Sequence, residues 1–241
     1  MHTQPTQPKT IRAQLLSAMR HGEYAACERL PRENILAENL GISRTQLRDI
    51  LASLEREGFI TRRHGVGTVI NRHVLRIQTR MDIEVEFLDM IRQNGYQPDV
   101  AFVRVSEGTA GEHLARQLQL ELGAPTIHIA RLCTADGRPA IYCEDVIAKA
   151  LVKEDYTLQD LQLPIFHFLQ RFCDAYPYMD LTDLRAVVAD AALSEVLKVP
   201  VGAPLLNMEE VDFDIDGKPV FWSNEYFVDG IVHNTVMRKK L

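Results

Sequence analysis

The chain has 241 residues, 46% hydrophobic and 25% charged, with 13 Gly and 11 Pro, which excludes collagen-like, low-complexity and wholly disordered organisations and suits two domains. A net charge of −6 looks unfavourable to a nucleic-acid partner, but residues 1–74 hold 11 Lys and Arg against 7 Asp and Glu (+4), and residues 75–241 hold 16 against 26 (−10). Ten of the 11 cations in the basic head are arginines, the side chain suited to bidentate contacts with phosphate and guanine.

No apolar run approaches the ~18 residues that span a bilayer, and the polar start Met1-His2-Thr3-Gln4-Pro5 lacks the apolar stretch of a signal peptide. Cys27, Cys133, Cys143 and Cys173 have neither metal-ligand spacing nor the look of a disulfide framework. A reduced cytoplasmic setting follows, with no membrane, metal or cofactor expected.

In the head, Lys9 to Arg20 reads as a helix with Ile11, Leu15, Ala18 and Met19 on one stripe, ended by Gly22. Gly22 to Arg29 reads as irregular. Leu30-Pro31-Arg32-Glu33 opens a second helix, with Pro early and an acid in the first turn, and Ile35, Leu36 and Leu40 as its apolar face. Gly41-Ile42-Ser43 is a tight turn, and Ser43 with Gln46 forms a capping box for a third helix. Leu47, Ile50, Leu51 and Leu54 give that helix a core stripe and leave Arg44, Thr45 and Arg48 on its other side. Two short strands, Phe59 to Arg63 and Thr68 to Ile70, flank the turn His64-Gly65-Val66-Gly67.

Helix, helix, tight turn, helix and two-stranded wing is the winged helix-turn-helix plan. Buried leucines fix which way Arg44, Thr45 and Arg48 point, and the first turn offers free N–H groups and a positive dipole end to phosphate. Such a helix enters the major groove N-terminus first, while a glycine tip flanked by Arg62, Arg63 and His64 approaches the backbone or minor groove. The turn, capping box, arginine face and basic wing together point to double-stranded DNA.

The stretch from Leu30-Pro31-Arg32-Glu33 through Leu36-Ala37-Glu38-Asn39-Leu40-Gly41-Ile42-Ser43-Arg44-Thr45-Gln46-Leu47-Arg48 to His64-Gly65-Val66-Gly67-Thr68-Val69 resembles the GntR transcriptional regulators. The resemblance places Arg44, Thr45, Arg48, His64 and Gly65 on DNA-contact positions; Ser43, Gln46, Arg62, Arg63 and Gly67 complete the candidate set. Where the family often has Arg after Pro-x-Glu, this chain has Asn34, and Arg32 stands where the family usually has a small residue. The expected domains are 1–74 for DNA binding, 75–81 as linker with strand character at 74–77, and 82–241 for the body.

The body opens with a helical pattern from Asp82 to Asn94 (Ile83, Phe87, Met90, Ile91), a strand at Val100 to Val105 and a helix over Gly111 to Leu120. An internal repeat follows. Gly123-Ala124-Pro125, an apolar strand and Asp136-Gly137-Arg138-Pro139 return as Gly202-Ala203-Pro204, an apolar strand and Asp216-Gly217-Lys218-Pro219. Each copy has a short helix before it and a second strand after it. The one-residue difference between the copies predicts a bulge in one of them. A helix over Leu158 to Phe172 and a strand around Asp183 to Val188 join the halves, giving an α+β domain with an antiparallel sheet.

Ile129-Ala130-Arg131-Leu132 and Val220 to Tyr226 make this part resemble the UTRA effector-binding domain of HutC-type GntR regulators, whose fold is shared with chorismate lyase. The resemblance implies a metabolite pocket on the sheet. Phosphosugar-responsive members tend to have Arg where Cys133 stands, Ser where Pro164 stands and Arg where Val228 stands. Losing two cations and a hydroxyl argues for an effector less anionic than a sugar phosphate. Candidate effector contacts are Arg131, Cys133, Glu144, Trp222, Glu225 and Tyr226; core packing and an Arg131–carboxylate salt bridge are the alternatives.

The reading is a regulator that binds a pseudopalindromic operator as a homodimer and responds to a small molecule. A body that only dimerises, and a chorismate lyase-like enzyme, are the other readings. No P-loop, nucleophile elbow or metal cluster supports catalysis.

Overall fold

A computed structural model of the protein describes residues 8–239. The chain divides into two compact units at Ile77 and Gln78.

The first unit contains α1 (Pro8–His21), α2 (Glu33–Leu40), α3 (Arg44–Arg56), β1 (Ile60–Arg63), β2 (Gly67–Ile70) and α4 (Arg72–Leu75). Ile11, Leu15 and Met19 of α1 and Leu47, Ile50, Leu51 and Leu54 of α3 are buried as the periodicity requires. Each such side chain contributes about 1.5–3 kcal/mol through loss of water contact. α2 departs from expectation: Leu36 and Ala37 are buried and Ile35 is 45% exposed. Leu36, Ala37 and Leu40 occupy one side of the helix, which turns Ile35 away from it.

Two connectors carry more order than their sequences advertise. The expected irregular stretch ends in an isolated bridge to the wing, with Arg29 opposite Val69, Ile70 N–H donating to Glu28 O at 2.8 Å and Leu30 N–H to Thr68 O at 2.9 Å. Strand character at 74–77 gives way to the one-turn α4, because Val74 and Leu75 donate to the Asn71 carbonyl and bury their side chains. The Arg72 guanidinium donates to the carbonyls of Met19, Tyr24 and Cys27 and so holds the α1–α2 connector.

The second unit contains β3 (Thr79–Arg80), α5 (Phe87–Gln93), β4 (Pro98–Thr109), α6 (Glu112–Gln117), β5 (Pro125–Ala135), β6 (Arg138–Ala148), α7 (Ile165–Phe168), β7 (Met179–Val188), α8 (Ala191–Leu197), β8 (Pro204–Phe213), β9 (Pro219–Val228) and β10 (Asn234–Thr235). Its main sheet runs β4-β5-β6-β9-β8-β7 and is antiparallel throughout. The internal repeat is larger than its sequence signature. Each half is strand, helix and hairpin, and the halves meet at β6 and β9, where Glu144 lies opposite Asn224.

The first hairpin turns on Asp136-Gly137, both at positive φ (50° and 76°), the type I′ geometry that matches strand twist. Both hairpins carry a bulge at the same place. Ala140 after Pro139 and Val220 after Pro219 are the unpaired residues. The expected single bulge is therefore corrected: the extra residue of the second copy sits in its turn, where Asp214 Oδ1 accepts from the N–H groups of Asp216 and Lys218.

Two expected helices are shorter. From Asp82 to Glu86 the chain is not helical, and α5 begins only at Phe87, after Glu86 at an extended ψ of 141°. The Leu158 to Phe172 helix is split at Pro164 into a 3-10 turn (Asp160–Gln162), α7 and a π turn (Leu169–Cys173). Proline has no N–H to donate and disfavours helical geometry in the residue before it.

One face of the sheet packs Ile129, Ile147 and Phe221 under Phe168, Leu169 and Phe172, and Ile141 and Phe227 under α5. The other packs Leu132 and Leu205 under Leu197 of α8. The first face positions the ligand cleft.

Candidate nucleic-acid interface and ligand cleft

The recognition helix α3 begins with both halves of its capping box: Gln46 N–H donates to Ser43 Oγ at 3.2 Å, and Ser43 N–H donates to Gln46 Oε1 at 3.1 Å. These two side chains are spent on the cap, which is worth about 1 kcal/mol and fixes the direction of the first turn. Arg44, Thr45 and Arg48 are exposed on the side away from the core. Arg44, and Arg63 on the wing, have no ion-pair partner among the described residues. Arg48 Nε lies 2.9 Å from Glu33 Oε2 of α2. Arg62 is held twice by Glu55, Nε to Oε2 and backbone N–H to Oε1, each at 2.7 Å. Exposed pairs of this kind are worth ~0–1 kcal/mol, so they orient the guanidinium groups without barring them from a phosphate.

At the wing tip Gly65 and Gly67 have φ of +75° and +98°, and nothing lies within 4 Å of a Cβ built on either. Backbone conformation, not space, demands glycine there. Arg29 Nη1 donates to the Val66 carbonyl at 3.1 Å, which adds a cation beside the tip that sequence reasoning left in an irregular segment. His64, Arg32 and Asn34 are exposed, and Arg32 makes no side-chain cap at the start of α2.

In the second unit, β3 pairs with β10, and Asp82 to Glu86 follows as a strap carrying acidic side chains to the cleft. The cleft has two chambers, of about 360 and 340 Å³, both lined by Glu84 and Asp180. Glu210 and Glu225 add to the larger chamber, beside Phe87, Met90 and Met208. Glu86 and Asp212 add to the smaller, beside Phe166 and Tyr178. A further hollow of about 620 Å³ over Leu205, Phe227 and Val232 has, among the described residues, only Asp229 and His233 as ionisable groups.

Burial, reinforced by the charges of Glu210, Glu84, Asp180 and Asp145, pushes the Asp212 carboxyl up to about 9. Burial also raises Glu210 and Glu86 to about 7, and Glu225 well above the usual carboxylate range. Two hydroxyls favour the ionised forms and oppose that rise only in part. Ser223 Oγ lies 2.8 Å from Asp145 Oδ1 and 3.2 Å from Glu225 Oε1. Thr182 Oγ1 lies 2.6 Å from Asp180 Oδ2 and 3.1 Å from Glu210 Oε1. One hydroxyl hydrogen cannot serve two carboxylates at once, so one acid of each pair needs a proton or a cation.

Arg131 Nη2 lies 3.0 Å from Asp145 Oδ2, the two side chains being 5% and 2% exposed. The guanidinium is ion-paired with Asp145, its charge also acts on Glu86, and it lines neither chamber.

The family described as UTRA domain matches residues 93–229, and that described as bacterial regulatory proteins, gntR family, matches residues 7–70. The chain belongs to the GntR family and carries a UTRA domain. It is therefore a DNA-binding transcriptional regulator with an effector-binding domain, not an enzyme. It is 26% identical over 213 residues to an uncharacterized HTH-type transcriptional regulator of Rhizobium meliloti, covering 87% of this chain and 86% of that protein. It is 25% identical over 203 residues to the histidine utilization repressor of Pseudomonas putida, covering 81% and 77%. The crystal structure of the possible transcriptional regulator YydK from Bacillus subtilis superposes with a TM-score of 0.79 at 16% identity, covering 98% of this chain and all of that one, and so shares its fold.

Within this GntR regulator's UTRA domain, the sequence-predicted effector residues fall on both faces of the sheet. Register places Arg131 opposite Cys143 and Cys143 opposite Glu225, so Arg131, Cys133 and Glu225 share the cleft face; Glu225 alone lines a chamber. Glu144, Trp222 and Tyr226 lie on the opposite face in a satisfied polar network. Tyr142 donates to Glu144 at 2.7 Å, Trp222 Nε1 to Glu209 at 3.1 Å and Asn224 Nδ2 to Tyr226 Oη at 2.9 Å. Burial alone would raise Glu209, but bonds from Trp222 and His113 and the charge of Arg185 bring it below its usual value. Burial pushes the Cys133 thiol up to about 12, which keeps it protonated and unreactive. Sequence reasoning missed Glu84, Glu86, Asp180, Glu210 and Asp212. The alternation of Asp180, Thr182, Glu210 and Asp212 on their strands was the available signal. Among the described residues no helix is long and apolar enough to cross a membrane.

Proposed function

We propose that the protein is a cytoplasmic repressor that binds a pseudopalindromic operator as a homodimer and changes its DNA affinity when a small molecule other than a sugar phosphate occupies the cleft. The capped start of α3, with Arg44 exposed and unpaired beside Thr45 and Arg48, carries the DNA reading. In this reading Arg44, Thr45 and Arg48 meet base edges and phosphates. Arg32, Asn34, Arg62, Arg63, His64 and the Arg29 that braces the wing meet the backbone, while Ser43, Gln46, Gly65 and Gly67 set the geometry.

Repression is supported by the name of the Pseudomonas putida relative, a histidine utilization repressor. The exclusion of a sugar phosphate is supported by Cys133, Pro164 and Val228 at positions where phosphosugar-responsive members tend to carry Arg, Ser and Arg. It is also supported by the engagement of Arg131 with Asp145 and by the acidic lining of both chambers. The strap bearing Glu84 and Glu86 follows directly on β3, where the chain enters the second unit, so a ligand held there acts on the segment leading to the DNA-binding head.

The test is selection of an operator from random duplexes by the full-length protein, followed by gel shift with Arg44→Ala. A folded variant should lose specific binding and keep its thermal transition. Wild-type operator affinity in the variant would show that α3 has been assigned the wrong role.

A further inference from the structure

We infer that the acidic cleft of the second unit binds an organic cation, with the two chambers receiving the two ends of a short aliphatic diamine. The inference rests on the reading of that unit as effector-binding and names the chemistry of its ligand. Among the described residues no Lys, Arg or His lines either chamber, although each is lined by several carboxylates. Asp212 is 2% exposed, lines the smaller chamber, and its Oδ2 has no hydrogen-bond partner. A carboxylate buried in that way is costly unless it is protonated or meets a cation.

The shared hydroxyls make the same demand in the larger chamber, where Thr182 has one hydrogen for both Asp180 and Glu210. An ammonium supplies three donors and a positive charge to such a group. Glu84 and Asp180 line both chambers, with Glu210 and Glu225 on one side and Glu86 and Asp212 on the other, an arrangement that suits two charges joined by an apolar stem. Phe87 and Met208 in one chamber and Phe166 and Tyr178 in the other offer that stem apolar walls and the charge aromatic faces. Oxygens of Glu84, Asp180 and Glu210 lie within 4.8 Å of one another, a spacing open to a divalent ion, but chambers of about 360 and 340 Å³ with apolar walls fit a small organic molecule better.

Binding should release protons. The groups around Asp212 are Glu210, Glu84, Asp180, Asp145 and Glu86; the buried Arg131 is ion-paired with Asp145 and its charge also acts on Glu86. Affinity for a diamine should therefore rise with pH from 6 to 8, about tenfold per pH unit for each proton displaced.

The experiment uses the full-length protein with 1,4-diaminobutane, butylamine, calcium chloride and potassium phosphate, and reads the unfolding midpoint from Trp222 fluorescence. Diaminobutane should raise the midpoint, butylamine should bind at least tenfold more weakly, and phosphate should leave the midpoint unchanged. The double variant D212N/E210Q, which removes charge with little change of shape and should fold at least as well, should lose the diaminobutane response. Equal binding of butylamine overturns the diamine assignment, and a response to calcium alone makes this a metal site. No response to any amine, or a response to phosphate instead, overturns the cation assignment while leaving an effector-binding domain in place. Diaminobutane binding that leaves operator affinity unchanged in a gel shift supports the cation site and overturns its effector role, so the two readings fail separately.

Discussion

Replacing Asp212 with Asn keeps the side chain's shape and removes a carboxyl whose folded-state pKa of about 9 stands against an ordinary 3.8. Between pH 6 and 8 the folded chain retains a proton there that the unfolded chain has released. The raised value contributes stability that is complete below the unfolded pKa and is lost as pH rises towards the folded one. With one more proton bound when folded, stability falls by about 1.4 kcal/mol per pH unit, or about 2.7 kcal/mol from pH 6 to pH 8. For a unit of this size that corresponds to about 5–11 °C in midpoint. Urea unfolding of the full-length protein at pH 6, 7 and 8 is the assay, because the chain's single tryptophan is Trp222 on β9 of this unit. D212N should show a pH slope flatter by about 1.4 kcal/mol per unit and an advantage over the parent that grows with pH. Parallel slopes would refute the reasoning, since Asp212 would then be ionised in the folded protein.

Ser43→Ala removes the acceptor for the Gln46 N–H and should cost about 1 kcal/mol, seen in calorimetry as a drop of about 4–8 °C in the first unit's transition; Ser43→Asp should recover it. Arg63→Ala in a two-fold dimer removes two phosphate contacts, so the slope of log affinity against log salt should become shallower by about 1.8; an unchanged slope in fluorescence anisotropy rejects the contact. Arg131→Met strands the buried Asp145 carboxylate and should destabilise the second unit by about 3–5 kcal/mol. Adding Asp145→Asn should recover most of that loss in urea unfolding, and a neutral Arg131→Met would show that the ion pair is not structural.

Much of the first unit was legible because its signals are local. A capping box needs only Ser43 and Gln46, a leucine stripe only helical spacing, and a wing tip only glycines where φ is positive. The Asp-Gly turns of the second unit and the repeat around them were legible for the same reason. Ile35 and the 74–77 segment misled because burial on a short helix depends on which neighbour arrives, and neither stretch carries a long periodic pattern. The cleft was largely hidden. Alternation along a strand tells which residues share a face, but only the pairing of Arg131 with Cys143 and Cys143 with Glu225 separates Arg131, Cys133 and Glu225 from Glu144, Trp222 and Tyr226.

The sequence by itself determined a basic, capped, arginine-faced head and a doubled strand–turn–strand body, because caps, turns and periodicity are properties of a few adjacent residues. Tertiary structure alone decided that the −10 of the body is concentrated in part around one cleft. Glu84 and Glu86 on a strap, Asp180 on β7, and Glu210, Asp212 and Glu225 on β8 and β9 come together only when the sheet closes its register and the strap crosses its face. Carboxylates scattered along a chain are screened by water. Gathered in a desolvated cleft, they raise one another's pKa values and create a demand for positive charge.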